Sequence, residues 1–326
     1  MFHGAIGDTP PVSTEPTDPG PAAVPSGLPP VVAVVGPTAT GKTALAVALA
    51  HRLGGEVVNA DSMQLYRGMD IGTAKPTATE RDGVPHHLMG LWHVREPASV
   101  ADYRLRARGE IDRLRAAGVV PLLVGGSGLY VRAVLDELDF PGTDPALRQE
   151  LEAELAEAGP APLHARLAEV DPVVAGSILP GNGRRIVRAL EVVGLTGRPF
   201  AASLPDPRPH YPTVTVGLDT DPADLDERVA VRVDRMWTAG FVDEVAALAA
   251  DGLREGRTAS RALGYAQVLR QFDGELTAEQ ARTETVRTTR RFVRRQRSWF
   301  RRDATVAWLD AAGDDLVERA LTTIGR

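Results

Sequence analysis

An eight-residue phosphate-loop motif near the start of the chain constrains the fold most strongly. It reads G-x-x-x-x-G-K-[ST] and consists of Gly36, Pro37, Thr38, Ala39, Thr40, Gly41, Lys42 and Thr43. An apolar run at 31–35 precedes it and a helix-like stretch at 44–49 follows, which is the strand, loop and helix order that this motif requires. The glycines let successive N–H groups face one concavity, Lys42 brings a charge to the terminal phosphates, and the Thr43 hydroxyl can bind Mg²⁺. The chain is therefore predicted to bind a diphosphate or triphosphate.

The pattern along the rest of the chain indicates an α/β fold. Apolar runs typical of buried strands alternate with helix-like segments, and they lie at 31–35, 56–59, 119–124, 214–218 and 306–309. This alternation, with a phosphate loop at the first turn, predicts a P-loop NTPase-like, doubly wound, mostly parallel sheet. Ligands of such sheets lie at the carboxyl ends of the strands, so we expect the site there.

Changes in composition divide the chain into three parts. Residues 1–29 are rich in Pro, with Gly, Ser, Thr and Asp and no apolar period, and are predicted to form a disordered tail. Residues 141–190 are charged, rich in Ala and Leu, and show no strand signal, which predicts a small all-helical insertion domain. The catalytic core is then predicted to consist of two segments, 30–140 and 191–326.

The composition excludes several classes of protein. Cysteine is absent, which excludes disulfides, thiol catalysis and Cys-bound zinc. No apolar run approaches the roughly 20 residues of a membrane helix, and the N-terminus lacks the basic and then apolar pattern of a signal peptide. We therefore expect a cytoplasmic protein with no membrane contact, and we expect it to be a monomer.

Asp61 is the first candidate catalytic residue. It follows the strand at 56–59, so it is expected at the ligand edge beside the phosphate loop, where a carboxylate can act as a general base or in the coordination sphere of a metal. It can instead cap a short helix, because Asp61-Ser62 precedes a possible one. The strand at 119–124 is followed by Gly-Gly-Ser-Gly and by no acid, so the aspartate that ATPases commonly carry there is missing. This disfavours an ATPase.

Arginine is concentrated near the C-terminus. Residues 282–302 hold nine arginines against one acid, Glu284. Helical spacing places Arg290, Arg294, Arg297 and Arg301 on one face and Val286, Val293 and Phe300 on another. Because this segment carries almost no counter-charge of its own, it is predicted to bind a phosphate backbone. Upstream, Arg228 and Arg232 are four residues apart on one helical face, where they can clamp a diphosphate or pair with neighbouring acids.

Taken together, these residues resemble the bacterial tRNA dimethylallyltransferases, also called tRNA isopentenyltransferases. The resemblance extends through most of residues 31–309. Besides the phosphate loop, it is carried by NADSMQLYR (59–67), MDIGTAKP (69–76), PHHL (85–88), LLVGGSGLY (122–130), NGRRIVRALE (182–191), ALGYAQ (262–267) and RRQRSWFR (294–301).

The resemblance implies a reaction and a donor site. The phosphate loop and Arg228 would hold the diphosphate of dimethylallyl diphosphate, with Mg²⁺ near Thr43. Asp61 would take a proton from the exocyclic amine of the adenosine next to the anticodon in tRNAs that read codons beginning with U. Arg232 would stabilise the diphosphate as it leaves. The adenosine would have to be flipped out of its stacked loop into a channel between core and insertion.

The resemblance also implies which residues contact the tRNA anticodon stem-loop. They are Asp61, Ser62, Met63, Gln64, Ser127, Arg148, Arg184, Arg185, Arg188, Arg261, Gly264, Tyr265, Arg294, Arg295, Gln296, Arg297, Trp299 and Arg301. The family usually has Thr at the position of Ser127. Because the hydroxyl is retained, we expect Ser127 to keep its hydrogen bond to the target base and to belong to the catalytic set.

Two other functions fit parts of the sequence. An adenylate isopentenyltransferase would prenylate free AMP or ADP, but it would need neither an arginine helix nor a helical insertion. A P-loop small-molecule kinase would use Asp61 to deprotonate a substrate hydroxyl. Labelled ATP and labelled dimethylallyl diphosphate would distinguish these alternatives.

Overall fold

The fold is built on a six-stranded parallel sheet. The structure, a computed structural model, describes residues 27–138, 140–200 and 208–325. The strands are β1 (Val31–Val35), β2 (Gly55–Asn59), β3 (His86–His87), β4 (Val120–Gly125), β5 (Thr213–Asp219) and β6 (Val306–Asp310). Their order across the sheet is β3-β2-β4-β1-β5-β6, and every neighbouring pair is parallel. The predicted α/β fold is confirmed. Most of the tail predicted at 1–29 lies outside the described residues.

The described part of the chain contains thirteen α-helices. They are α1 (Lys42–Leu53), α2 (Ala78–Arg81), α3 (Val100–Ala116), α4 (Gly128–Leu135), α5 (Pro145–Ala158), α6 (Pro160–Val170), α7 (Pro172–Ser177), α8 (Gly183–Thr196), α9 (Pro222–Thr238), α10 (Phe241–Ala250), α11 (Tyr265–Phe272), α12 (Ala278–Phe300) and α13 (Leu316–Ile324). Among these helices none combines the length and the apolar character needed to cross a bilayer. The two-residue strand β3 was not predicted, because it is too short to show a pattern.

Both faces of the sheet are covered, which explains why its central strand is apolar throughout. Every residue of β1 is fully buried. Val31, Ala33 and Val35 pack into a cluster with residues of α3, α4, α10 and α11. Val32 and Val34 point to the opposite face, where they pack against α1 and α13. The sequence of a strand covered on both faces is apolar at every position, whereas a strand with one exposed face alternates apolar and polar residues.

Helices α5 to α8 form a separate hydrophobic cluster. Leu163, Leu167 and Ile186 are fully buried in it, and the cluster extends along α8 as far as Leu190. This agrees with the absence of a strand signal in that part of the sequence. The boundary predicted between residues 190 and 191 falls inside α8, because this helix continues to Thr196.

Candidate active site

The phosphate loop joins β1 to α1 at the carboxyl edge of the sheet. Gly36 has a φ of 138°, and a Cβ atom at this position would lie 2.3 Å from the carbonyl oxygen of Leu218, so a side chain would clash with β5. Gly41 has a left-handed φ of 83° and caps α1, which begins at Lys42. The free N–H groups and the dipole of this helix end favour an anion in the loop.

Lys42 folds over the loop. Its Nζ donates a hydrogen bond to the carbonyl oxygen of Pro37 at 2.7 Å, and the Thr40 hydroxyl donates to the same oxygen at 2.9 Å. Burial, and then the positive charge of Arg232, lower the pKa of Lys42 to about 8, while Asp61 acts in the opposite direction. The two cations therefore disfavour each other in the free protein, and an anion between them would relieve this repulsion.

Asp61 is held in place by the buried Asn59 at the end of β2. The Asp61 N–H donates to Oδ1 of Asn59 at 3.0 Å, and the Asn59 amide donates back to the Asp61 carbonyl oxygen at 3.1 Å. Tyr103 on α3 donates its hydroxyl to the Asn59 carbonyl oxygen at 2.8 Å. Oδ1 of Asp61 accepts the Met63 N–H at 2.9 Å, while Oδ2 makes no hydrogen bond to the described residues. One oxygen thus orients the carboxylate and the other is available to a substrate.

Ser127 lies beside Asp61 because β2 and β4 are neighbours in the sheet. It precedes α4, at the end of the loop that follows β4. The Ser62 N–H donates to Oγ of Ser127 at 3.2 Å, and the two hydroxyl oxygens are also 3.2 Å apart. The structure therefore brings Asp61, Ser62 and Ser127 together, as the sequence predicts.

These groups line a cavity of about 300 Å³. Part of its lining is polar and comes from Thr38, Asp61, Ser62, Thr73, Ser127 and Arg232. Another part is apolar and comes from Met63, Val229, Val233, Met236, Phe241, Leu263 and Phe292. An anion site, a carboxylate and an apolar wall around one cavity suit a diphosphate ester of a short hydrocarbon chain next to a proton acceptor.

Arg232 and Arg228 differ in their surroundings although both lie on α9. Arg232 lines the cavity and donates to the carbonyl oxygen of Thr73 at 3.4 Å. Burial lowers the pKa of Arg232, and the negative charges of Asp61 and Glu80 oppose this effect. Arg228 is absent from the cavity lining and has no hydrogen bond or ion pair to the described residues. The structure therefore supports a site role for Arg232, and the diphosphate contact of Arg228 stays a prediction.

The cavity wall at residues 70–73 is fixed by Glu244 of α10. Its carboxylate accepts backbone N–H groups from Asp70 at 3.1 Å, Ile71 at 2.6 Å and Gly72 at 3.1 Å. It also accepts the hydroxyl of Tyr265 at 2.6 Å, and Tyr265 is fully buried. Gly264 has a φ of 85°, and a Cβ atom there would lie 2.9 Å from the Phe241 ring. Gly264 and Tyr265 are buried but line the cavity, and their contact with tRNA stays a prediction.

The arginine helix α12 is paired with acids from other elements. Asp219 at the end of β5 accepts hydrogen bonds from Arg297 at 3.1 Å and from Arg301 at 2.6 Å. Arg294 pairs with Asp226 of α9 at 2.8 Å, and Arg282 lies 2.6 Å from Asp234 of the same helix. The expectation that this helix has almost no counter-charge is therefore wrong, because charges counted along the helix omit acids that the fold brings to it.

A second face of α12 remains exposed. Arg287, Arg291 and Arg295 recur at i, i+4 and i+8 and have no acid partner among the described residues. Arg295 also lines the cavity, with its guanidinium 5.8 Å from the centre of the Phe292 ring. Trp299 is 36% exposed. The buried Gln296 has both amide atoms in hydrogen bonds within the chain. Arg287, Arg291 and Arg295 therefore fit a phosphate-binding face better than the arginines of α12 that are paired with acids.

The other arginines predicted to contact tRNA fall into two groups. Arg148 and Arg188 both pair with the fully buried Glu191, Arg188 at 2.7 Å. Arg184, Arg185 and Arg261 are exposed, and Arg261 also lines the cavity. Burial, then the positive charges of Arg261 and Arg148, lower the pKa of Arg184. Arg184 and Arg261 therefore have positive charge that an anion would stabilise, whereas Arg148 and Arg188 stabilise the fold.

Comparisons with known proteins identify the family of the chain. The chain matches the family model described as IPP transferase over residues 64–303, and the model described as isopentenyl transferase over residues 29–89. The chain belongs to the IPP transferase family. This IPP transferase is 70% identical over 294 residues to the tRNA dimethylallyltransferase of Salinispora arenicola, covering 90% of this chain and 86% of the relative. It is 64% identical over 299 residues to that of Thermobifida fusca, with 90% and 94% covered.

Solved structures support the same assignment. The tRNA isopentenylpyrophosphate transferase of Bacillus halodurans superimposes with a TM-score of 0.68 at 42% identity, covering 91% of this IPP transferase and 94% of that chain. A eukaryotic dimethylallyltransferase acting on tRNA superimposes with a TM-score of 0.75 at 25% identity, covering 89% and 77%.

Several site residues of this IPP transferase were missed from the sequence. The apolar wall contributed by α9 consists of Val229, Val233 and Met236. They recur at i, i+4 and i+7, so the helical period was a usable signal. Asn59 bonds the backbone of Asp61 two residues further on, a local contact that asparagine commonly makes. Glu244 acts through the backbone of a distant segment, and no local pattern indicates such a contact.

Proposed function

We propose that this protein transfers the dimethylallyl group of dimethylallyl diphosphate to the exocyclic N6 amine of an adenosine in tRNA, with release of diphosphate. The acceptor would be the adenosine 3′-adjacent to the anticodon in tRNAs that read codons beginning with U. One observation carries the proposal: Asp61, Ser127, Arg232 and the phosphate-loop residue Thr38 line a single cavity that also has an apolar wall. The relatives are dimethylallyltransferases and isopentenylpyrophosphate transferases that act on tRNA, which supports this function and neither of the alternatives.

The donor half of the site binds and neutralises the diphosphate. Backbone N–H groups of the phosphate loop, Lys42 and Arg232 face the position of the leaving group, where negative charge develops as the allylic C–O bond breaks. The apolar wall of α9 and α10 holds the five-carbon chain and excludes water from the reacting carbon. Breakage of the C–O bond leaves its electron pair on the diphosphate.

The acceptor half activates the adenine amine. An aromatic amine is a weak nucleophile, so a carboxylate within hydrogen-bond reach must take its proton as the new C–N bond forms. Asp61 supplies that carboxylate through Oδ2, and Ser127 supplies a hydroxyl that positions the base. An adenine stacked in an anticodon loop cannot reach this cavity, so it has to be flipped into it.

The donor set also fits Mg²⁺. This ion is bound by one or two protein oxygens together with phosphate oxygens and water. Thr43 begins the helix after the loop, and its hydroxyl has no hydrogen bond to the described residues, so it is free to act as a ligand. No cluster of three or more His, Asp or Glu residues that could hold a metal occurs in the described ranges, which suits an ion held mainly by the substrate. Bound there, Mg²⁺ would neutralise charge on the leaving diphosphate.

We propose further that the protein acts in the cytoplasm as a monomer on the tRNA anticodon stem-loop. The substrate supports the location, because tRNA acts in the cytoplasm. Sedimentation of the protein with and without tRNA would measure its oligomeric state.

The decisive test of the function removes the Asp61 carboxylate. The Asp61→Asn variant is expected to transfer the prenyl group about 10²–10⁴-fold more slowly, because it lacks the general base. Its tRNA affinity should stay within a few-fold of the wild type. Mass analysis of tRNA nucleosides after incubation with dimethylallyl diphosphate measures the product, and labelled ATP in a parallel incubation tests for a kinase. Asp82→Asn, on an exposed carboxylate, is the matched control. Near-normal turnover by Asp61→Asn would contradict the assignment.

A further inference from the structure

Gln296 of α12 connects the two loops that form the site. It is 6% exposed, and both polar atoms of its side chain are hydrogen-bonded. Oε1 accepts the N–H of Thr38 in the phosphate loop at 3.0 Å. Nε2 donates to the carbonyl oxygen of Gly126 at 2.9 Å. Gly126 directly precedes Ser127, so one amide group spans from the donor loop to the acceptor loop.

The space around this amide is closely fitted. A Cβ atom at Gly126 would lie 2.3 Å from Nε2 of Gln296 and 3.1 Å from the carbonyl oxygen of Gly36. Only glycine at 126 therefore leaves room for the amide beside the phosphate loop. The positions of the phosphate loop and of the loop before Ser127 therefore both depend on the position of the Gln296 side chain.

The helix that carries Gln296 is itself fixed to the same edge of the sheet. Arg297 and Arg301 are hydrogen-bonded to Asp219, which ends β5 next to the phosphate-loop strand. A Cβ atom at Gly128 would lie 2.0 Å from Nε1 of Trp299, so Trp299 packs directly on the start of α4. The last turns of α12 thus rest on the ends of β4 and β5, and Gln296 points between them.

We propose that Gln296 is a positioning residue that sets the distance between the diphosphate loop and the Ser127 loop, and that it does not contact tRNA. This inference rests on the proposed function, since it assigns the donor to one loop and the acceptor to the other. Thr38 and Ser127 both line the cavity, so a change in their separation displaces the allylic carbon relative to the adenine amine. Displacements on the order of 1 Å can cost about 10²-fold in rate.

Two substitutions test this role. Gln296→Leu removes both hydrogen bonds at similar volume. Gln296→Glu keeps the acceptor for the Thr38 N–H but loses the donor to Gly126 while the carboxyl is ionised. When protonated, that carboxyl can both accept and donate, and burial favours the protonated form. The activity of Gln296→Glu relative to the wild type should therefore rise as the pH is lowered.

The measurements are the single-turnover rate of prenyl transfer at saturating tRNA and the Kd for tRNA. Gln296→Leu is expected to lower the rate about 10- to 100-fold and to leave the Kd within two-fold. Gln149→Leu, on an exposed glutamine of α5, is the matched control. If Gln296→Leu does not fold, the pH dependence of Gln296→Glu decides.

Three results would overturn the inference: a tenfold loss of tRNA affinity with a normal rate at saturation, an unchanged rate, or a Gln296→Glu activity ratio that does not depend on pH. Absence of prenyl transfer by the wild type would contradict the proposed function instead, so the two failures are distinguishable.

Discussion

At the scale of single residues, the charge of Lys42 depends on its surroundings. Burial and Arg232 lower its pKa to about 8, so the free protein holds a neutral amine at this position above that pH. The donor diphosphate prefers the charged form, because the ammonium is one of the cations that face it. Binding of the donor should therefore take up a proton when it occurs above pH 8.

This predicts that affinity for dimethylallyl diphosphate falls as the pH rises through about 8, by up to about tenfold per pH unit. Titration calorimetry between pH 7 and 9.5, in buffers with different ionisation enthalpies, measures both the affinity and the proton uptake. Lys42→Arg is the control, because its guanidinium stays charged across this range and should bind with a flatter pH dependence. Equal slopes for the two proteins would contradict the prediction.

At the scale of elements, α12 has two arginine faces with different surroundings. Arg297 and Arg301 are paired with Asp219, which is nearly buried, so they hold the helix on the sheet. Arg287 and Arg291 are exposed and have no acid partner among the described residues. A phosphate backbone could therefore pair with Arg287 and Arg291 directly, whereas pairing with Arg297 and Arg301 would break their ion pairs with Asp219.

Two double variants separate these roles. The double variant Arg287→Gln with Arg291→Gln should bind tRNA with a weaker salt dependence. The slope of log affinity against log salt concentration should fall by up to about 0.9 for each lost phosphate contact, and the melting temperature should not change. Arg297→Gln with Arg301→Gln should cost roughly 1–3 kcal/mol of stability, less than a fully buried pair because Arg301 is half exposed. Binding measured across a salt series and thermal unfolding test both. The reverse distribution of effects would show that the paired face binds tRNA.

At the scale of the whole molecule, Glu191 holds the first and last helices of the insertion, α5 and α8, together. This carboxylate is fully buried and accepts from Arg148 at 3.1 Å and from the Asp144 N–H at 3.2 Å. Arg188 bonds it at 2.7 Å and also donates to the carbonyl oxygens of residues 141 and 142, where the chain enters the insertion. Burial opposes ionisation, but the hydrogen bonds from both arginines outweigh it and lower the pKa of Glu191.

Glu191→Gln is therefore expected to lose roughly 1–3 kcal/mol of stability at pH 7, since two partly buried arginines lose their counter-charge. The pKa of Glu191 is lower in the folded protein than its value near 4.3 in the unfolded chain, so the ionised carboxylate stabilises the fold above that pH. This stabilisation is lost as the pH falls through the pKa of the folded state. The difference in urea midpoint from the wild type should thus shrink below about pH 4. Glu150→Gln, on an exposed carboxylate of α5, is the control. A difference that persists at low pH would contradict this account.

The sequence by itself determined the features that depend on neighbouring residues. The phosphate loop was predictable because its glycines, Lys42 and Thr43 act within eight residues, flanked by a strand and a helix. The strands β1 and β4 were predictable because burial on both faces requires a continuous apolar run. The break between α9 and α10 was predictable from Gly240, whose φ is 94°.

Only the tertiary structure decided which distant residues meet. Gln296 and Thr38 are 258 residues apart in sequence, and the acids that pair with α12 come from β5 and α9. Helical spacing gives the faces of α12 but not what each face meets, so a charge count within the helix mistook paired arginines for free ones. Hydrogen bonds and ion pairs act over a few Å in space, whereas a sequence pattern reports only residues that are close along the chain.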